Sequence, residues 1–178
     1  MNCDNDNELF PVVDEAGNVI GKILRGQAHS GCKVLHPVIH LHLFNSEGGL
    51  YLQHRPKWKL IQPDRWDTSC GGHIAYGEST DEAFRREVSE ELGITVNNAL
   101  PLGKYVFESA RERELIYVFQ AVHDGPVNPD REELDGGRFW TRSEILDSMG
   151  KGILTPNFES EYLRFFSKDQ TLEPLCFS

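Results

Sequence analysis

Residues 72–94 read GHIAYGESTDEAFRREVSEELGI, a stretch in which both helix formation and acid chemistry are legible. From Thr80 to Leu92 there is no Gly or Pro. Ser79 or Thr80 can cap the start, and Asp81 and Glu82 suit the positive end of a helix dipole. Phe84, Val88 and Leu92 recur at i, i+4 and i+8 and form an apolar stripe. Gly93 stands where a left-handed C-terminal stop is expected. The spacing predicts a helix over 80–92 that buries one face.

Glu87, Glu90 and Glu91 fall together on a second face beside that stripe. Like charges at i, i+3 and i, i+4 cost roughly 0.2–0.5 kcal/mol per pair. Two of them also lie near the helix C-terminus, where the dipole disfavours anions. A cation between them reverses the penalty, and hard oxygen donors select Mg²⁺ or Mn²⁺. An isolated EVSEE is an ordinary solvated helix face. Here it is accompanied by Gly72, Glu78, Arg86, Gly93 and an aliphatic Ile94 at fixed offsets. At average residue usage such a coincidence arises roughly once in ~10⁸ starts. Glu78 and Arg86 are expected to pair across the loop and fix the helix start, and Gly71-Gly72 to let the backbone approach closely.

This pattern resembles the Nudix box, the signature of enzymes that cleave diphosphates linked to some other group. The resemblance implies an α/β/α sandwich with a mixed sheet. It makes Glu87, Glu90 and Glu91 metal ligands, with the Gly72 carbonyl as an additional one. Glu91 is then the first choice for general base.

Working outward, Leu9 to Leu24 reads as an N-terminal β-hairpin about the turn DEAGN. A linking segment carries His29 and His36. Strands are expected at Val38–Phe44, Leu50–His54, Trp66–Cys70, Gly103–Glu108, Leu115–Val122 and Arg138–Trp140. Further helices are expected from a cap at Thr141 or Ser143 through Asp147, and over Asn157–Phe166 with Phe158, Tyr162 and Phe165/Phe166 inward. Residues 1–178 are about one domain, with a core near 9–167 and short polar tails.

Composition narrows the function. A net charge of −10 argues against non-specific binding to nucleic acid or anionic membrane. No apolar run approaches the ~18 residues needed to span a bilayer. The acidic start MNCDNDNELF is unlike a secretory signal. Cys3, Cys32, Cys70 and Cys176 lack CxxC spacing and read as free thiols of a reducing cytosol. The expected partner is a small-molecule diphosphate, and a homodimer is left open as an assembly.

Residues outside the box resemble isopentenyl diphosphate isomerase, a relative on the same superfold. His29, Leu35-His36, Arg55, Lys59, Trp66, His73 and the Glu112/Glu114 pair carry this likeness. It implies a second, transition-metal site of His29, His36, His73, Glu112 and Glu114. Zn²⁺, Mn²⁺ or Fe²⁺ suit that donor set. It also implies a phosphate clamp of Arg55 and Lys59. Taken alone, these two belong to a basic loop with Lys57 and Arg65. His40 and His42 share a strand face with Val38 and Phe44 and read as structural. Trp58, Phe107, Phe139 and Trp140 read as core rather than as base-stacking residues.

The chain departs from the isomerase pattern at the catalytic thiol. Where the isomerases place cysteine immediately before Gly-His, this chain has Gly71, with Cys70 one residue earlier. In a strand that shift turns the thiol to the opposite face. Glu87 and Glu90 also stand where bacterial isomerases typically lack carboxylates. Hydrolysis of a nucleoside diphosphate or similar compound is therefore favoured over double-bond isomerisation and over a non-catalytic sensing module.

Overall fold

The computed structural model describes residues 5–59 and 61–167. The elements run β1 (Leu9–Val13), β2 (Val19–Leu24), α1 (Arg25–Ala28), β3 (Leu35–Phe44), β4 (Leu50–His54), β5 (Trp66–Asp67) and β6 (Cys70–His73). They continue as α2 (Thr80–Leu92), β7 (Leu100–Glu108), β8 (Arg113–Val122), β9 (Gly137–Trp140), α3 (Arg142–Ser148) and α4 (Pro156–Phe166). β1 and β2 form a separate antiparallel hairpin, and the other seven strands form one mixed sheet.

β3 is the sheet's central strand and is buried along its whole length. It pairs parallel with β8 and antiparallel with β6. Ile39, Leu41 and Leu43 face α2 and pack with Phe84, Val88 and Leu92. Each such side chain contributes about 1.5–3 kcal/mol by leaving water. The alternate residues of β3 face α4. There Phe44 joins Phe158 and Tyr162, while Val38 joins Tyr105 and Ile116. Helices therefore cover both faces of the sheet.

Local chemistry sets the helix ends. Ser79, not Thr80, caps α2: its hydroxyl accepts from the Glu82 amide, and the Glu82 carboxylate accepts from the Ser79 amide. Gly93 closes the helix at φ 62°, where a side chain would be strained. Thr141 and Glu144 repeat the reciprocal cap on α3, and Thr155 caps α4 ahead of Pro156.

The strand expected over Trp66–Cys70 divides in two. β5 pairs with β4, whereas β6 pairs with β3, and residues 68–69 hand the chain across. β3 and β4 meet only at Phe44–Leu50 and then splay. Ser69 bridges the opening: its hydroxyl accepts from the Leu43 amide at 2.8 Å and donates to the Tyr51 carbonyl at 2.5 Å. A second correction concerns His36. Strand β3 begins at Leu35, so His36 belongs to the sheet rather than to a linking segment. β7 likewise begins at Leu100, three residues before the expected Gly103.

Candidate active site

β6 is a wall between two clusters of ionisable groups. Its register with β3 sets Cys70 opposite Leu41, Gly71 opposite His40, Gly72 opposite Ile39 and His73 opposite Val38. Side chains alternate across a strand. Cys70 and Gly72 therefore look toward α2, and Gly71 and His73 look the other way.

On the α2 side, the Glu87 carboxylate rests on Gly72. A β-carbon at Gly72 would stand 2.0–2.3 Å from the carboxyl atoms of Glu87, so only glycine leaves room. The Gly71 amide donates to Glu91 Oε2 at 3.2 Å. Arg86 ties the helix to the loop by donating from Nε and Nη2 to both oxygens of Glu78, at 2.8 and 2.9 Å. It also donates to the His73 carbonyl, to Glu87 at 2.7 Å and to Glu90 at 3.2 Å. Glu78 is held below the usual carboxylate range, first by those hydrogen bonds from Arg86. The same pairing raises the Arg86 pKa.

The three box carboxylates do not share one environment. Glu87 and Glu91 line the inner edge against the glycine pair, whereas the Glu90 side chain is 61% exposed. Burial pushes Glu87 upward against the pull of Arg86. Burial, and then repulsion from Glu87, push Glu91 to about 8. Arg86 compensates Glu87 only in part and no cation pairs with Glu91, so the set has the character of a divalent-cation donor group.

On the far side of β6 the expected histidine set assembles. Ligand atoms of His29, His36 and His73 lie within 4.8 Å of one another, as do those of His36, Glu112 and Glu114. His29 Nε2 is 3.1 Å from His73 Nε2 and 3.5 Å from Glu112 Oε2. His36 Nδ1–H donates to the Val34 carbonyl at 3.1 Å, leaving a buried Nε2 without a hydrogen-bond partner. Burial lowers the pKa of His36 and, together with Arg25 and the neighbouring imidazoles, lowers that of His73 well below its ordinary value. Neutral imidazoles with a bare lone pair are the form a metal binds. Glu112 is raised by burial, and Glu114 is pushed to about 8 by burial and by Glu112. Both donor sets thus fit divalent metals, oxygen-rich on the α2 side and imidazole-rich on the other.

The basic loop between β4 and β5 spans the ends of both clusters. Arg55 donates to Asp67 at 3.3 Å and to the Ile61 carbonyl, and its charge acts on Glu112. Lys59 donates to Glu133 at 3.0 Å, and Glu133 in turn acts on Glu91. Both clamp residues are therefore held by carboxylates at the rim. Trp58 departs from the core reading: it is 59% exposed, with the Lys59 ammonium 4.9 Å from its ring. Trp140 is buried, and Phe107 and Phe139 are partly so. Cys70 is fully buried among Ile39, Leu41 and Ile74, and burial raises its thiol well above the usual range. Cys3 and Cys176 lie outside the described residues.

Two features escaped the sequence reading. Phe10 of β1 stacks on His73 at 4.4 Å and on His36 at 5.6 Å, so the hairpin roofs the histidine cluster. Glu161 of α4, fully buried, accepts from His40 Nδ1 at 3.0 Å, His42 Nε2 at 2.6 Å and the Tyr105 hydroxyl at 2.6 Å. Burial opposes charge on His40, but Glu161 more than offsets it and raises the imidazole to about 9. A signal for Glu161 was present: it stands at i+3 from Phe158, on the inward face of the last helix.

Comparison with known proteins agrees with this geometry. The family model described as NUDIX domain matches residues 34–159. An uncharacterized Nudix hydrolase of Pseudomonas aeruginosa is 33% identical over 76% of this chain and 79% of its own. An isopentenyl-diphosphate Delta-isomerase of Clavibacter sepedonicus is 34% identical over 78% of this chain and 76% of its own. The crystal structure of DR0079 from Deinococcus radiodurans superposes with a TM-score of 0.78 at 26% identity, covering 89% of this chain and 99% of that one. With β6, the box helix and the glycine pair all inside the matched span, the chain belongs to the NUDIX domain family and is a Nudix hydrolase.

Proposed function

We propose that this protein is a metal-dependent hydrolase of a diphosphate bond in a nucleoside diphosphate or related linked diphosphate, acting from one domain of about residues 9–167. The observation that carries the reading is the pair Glu87 and Glu91, half-buried against Gly71-Gly72 with their carboxyl pKa values raised. Glu87, Glu90, Glu91 and the Gly72 carbonyl would hold Mg²⁺ or Mn²⁺. Bound there, the ion supplies Lewis acidity toward phosphate and lowers the pKa of a water.

The chain's own groups do the rest. Glu91, held at the strand by the Gly71 amide, accepts the proton of the attacking water as general base in its ionised form. Glu112 and Glu114 are the reserve candidates. Arg86, fixed by Glu78, holds Glu87 in place. Arg55 and Lys59 leave Asp67 and Glu133 to neutralise phosphate charge as it builds up. His29, His36, His73, Glu112 and Glu114 would hold a transition metal, and metal analysis of the purified protein checks this. One equivalent of zinc, manganese or iron, lost in His36→Ala, supports it.

The test of the main reading is phosphate release from nucleoside and isoprenoid diphosphates with Mg²⁺ or Mn²⁺. Turnover that disappears in Glu90→Gln/Glu91→Gln is expected, and rates equal to that control on every compound would refute it. Double-bond isomerisation is the second reading, because relatives of equal identity carry that name. It requires a proton donor, and Cys70 points into the α2 core. Deuterium uptake into isopentenyl diphosphate in D₂O, abolished by Cys70→Ser, would establish it.

A further inference from the structure

His40 and His42 both lean on Glu161, but they are not equivalent. His42 is fully buried, donates Nε2–H to Glu161 at 2.6 Å and packs its ring against Phe158 and Phe166. Nothing but protein surrounds it. His40 uses the opposite edge: Nδ1–H donates to Glu161 at 3.0 Å, and the Cδ2–Nε2 edge turns toward β6. There it meets Gly71, which has no side chain on that face of the strand. A β-carbon at Gly71 would stand only 3.2 Å from His40 Cδ2 and 3.4 Å from Nε2. A carboxylate behind an imidazole that presents its other nitrogen forward is the arrangement by which proteins orient a histidine toward a ligand.

We infer that His40 is a ligand-contacting residue, donating Nε2–H across Gly71 to an anionic oxygen of a phosphate group, with Glu161 as its positioning residue. The inference rests on the reading above that the ligand is a diphosphate compound. Three features of the surroundings favour a phosphate oxygen at this place. Glu161, Glu114 and Asp67 together favour the charged imidazolium, the form that can donate Nε2–H while Nδ1–H is held by Glu161. Arg55 stands on the same side, within electrostatic reach of Glu112. The Gly71 amide meanwhile binds Glu91, so one glycine separates the proposed base from the proposed donor. Tyr105 completes the support by donating to Glu161 from β7 and so fixing the carboxylate from a third direction.

The wild-type protein, ¹⁵N-labelled at histidine, is titrated with methylenediphosphonate in the presence of Mg²⁺. The His40 Nε2 resonance, assigned by its loss in His40→Gln, is expected to move saturably relative to Mg²⁺ alone. The His42 resonances stay where they are. Calorimetry should show methylenediphosphonate bound at least tenfold more weakly by His40→Gln, and Glu161→Gln should weaken it by a smaller factor. For any diphosphate that turns over, His40→Gln should raise KM more than it lowers kcat. A His40 signal indifferent to saturating probe, or full-affinity binding by His40→Gln, overturns the inference and leaves hydrolysis at Glu91 standing. Failure of the wild type to bind the probe overturns it as well, and phosphate release then decides the hydrolase reading separately.

Discussion

Half-buried Glu91 and fully buried Glu161 are carboxylates on opposite sides of one sheet, and they have opposite electrostatic fates. Burial and then repulsion from Glu87 push Glu91 to about 8, and the hydrogen bonds it receives from Cys70 and the Gly71 amide do not offset them. Glu161 receives two imidazoles and a phenol, and despite its burial they hold it well below the usual carboxylate range. Burial does not fix the charge of an acid; its partners do. A fully satisfied carboxylate fastens α4 to the sheet. A poorly satisfied one holds its proton until something that arrives takes the proton's place.

Substitution separates the two most sharply. Glu91→Gln should lower kcat for diphosphate hydrolysis by about 10²–10⁴-fold, the usual worth of a general base. It should leave the metal-free protein as stable as the wild type or more so. Glu161→Gln should do the reverse to stability. Breaking a buried ion pair costs about 3 kcal/mol or more, which for a domain of this size lowers Tm by roughly 6–12 °C.

pH sharpens the contrast. Glu91 and Glu114 bind protons more tightly in the folded chain than unfolded, so their contribution is lost as pH rises from the ordinary carboxylate range through about 8. His40 contributes in the same direction, being stabilising below its ordinary pKa of about 6.5 and losing that contribution as pH rises through about 9. Glu161 and Glu78, with lowered values, instead lose stability as pH falls below the ordinary carboxylate range. Once pH passes the ordinary imidazole value of 6.5, where the lowered pKa values of His36 and His73 stop opposing the trend, Tm of the metal-free protein should fall toward pH 9 on calorimetry, and saturating Mg²⁺ should flatten the fall.

The adjacent glycines give a smaller, paired effect. Gly72→Ala drives a methyl into Glu87 and should cost about tenfold or more in metal affinity or rate, the scale of disturbed ligand support. Gly71→Ala meets the edge of His40 at 3.2 Å and Thr68 Cγ2 at 3.5 Å, neither of them a box carboxylate, and should leave Mg²⁺ affinity near that of the wild type. The smallest effect is expected at Cys70. Cys70→Ala should keep turnover within about twofold and cost roughly 1 kcal/mol of stability. In the native protein, thiol reagents should modify exposed Cys32 and spare Cys70.

Much of this arrangement was readable in one dimension because it depends on local spacing. The box helix and the turn of Cys70 away from the histidine face follow from periods of 3.6 and 2, and the Glu78–Arg86 tie from the offsets of the box pattern. The division of Trp66–Cys70 between two strands was not readable, since it depends on where β3 and β4 part and on a hydroxyl, Ser69, that spans the gap. The Glu161 network was hidden for a related reason. Its members come from β3, β7 and α4, and each alone resembles an ordinary residue of its element. The placing of Glu87, Glu90 and Glu91 on one helix face likewise could not show that Glu90 turns outward while the other two are half-buried.

The most direct measurement is calorimetric titration of Mg²⁺ into the wild type and into Glu87→Gln/Glu91→Gln, with diphosphate turnover followed in parallel. The account predicts that the substituted protein loses both Mg²⁺ binding and turnover yet melts no lower than the wild type without metal. Unchanged binding and turnover in that variant would contradict it.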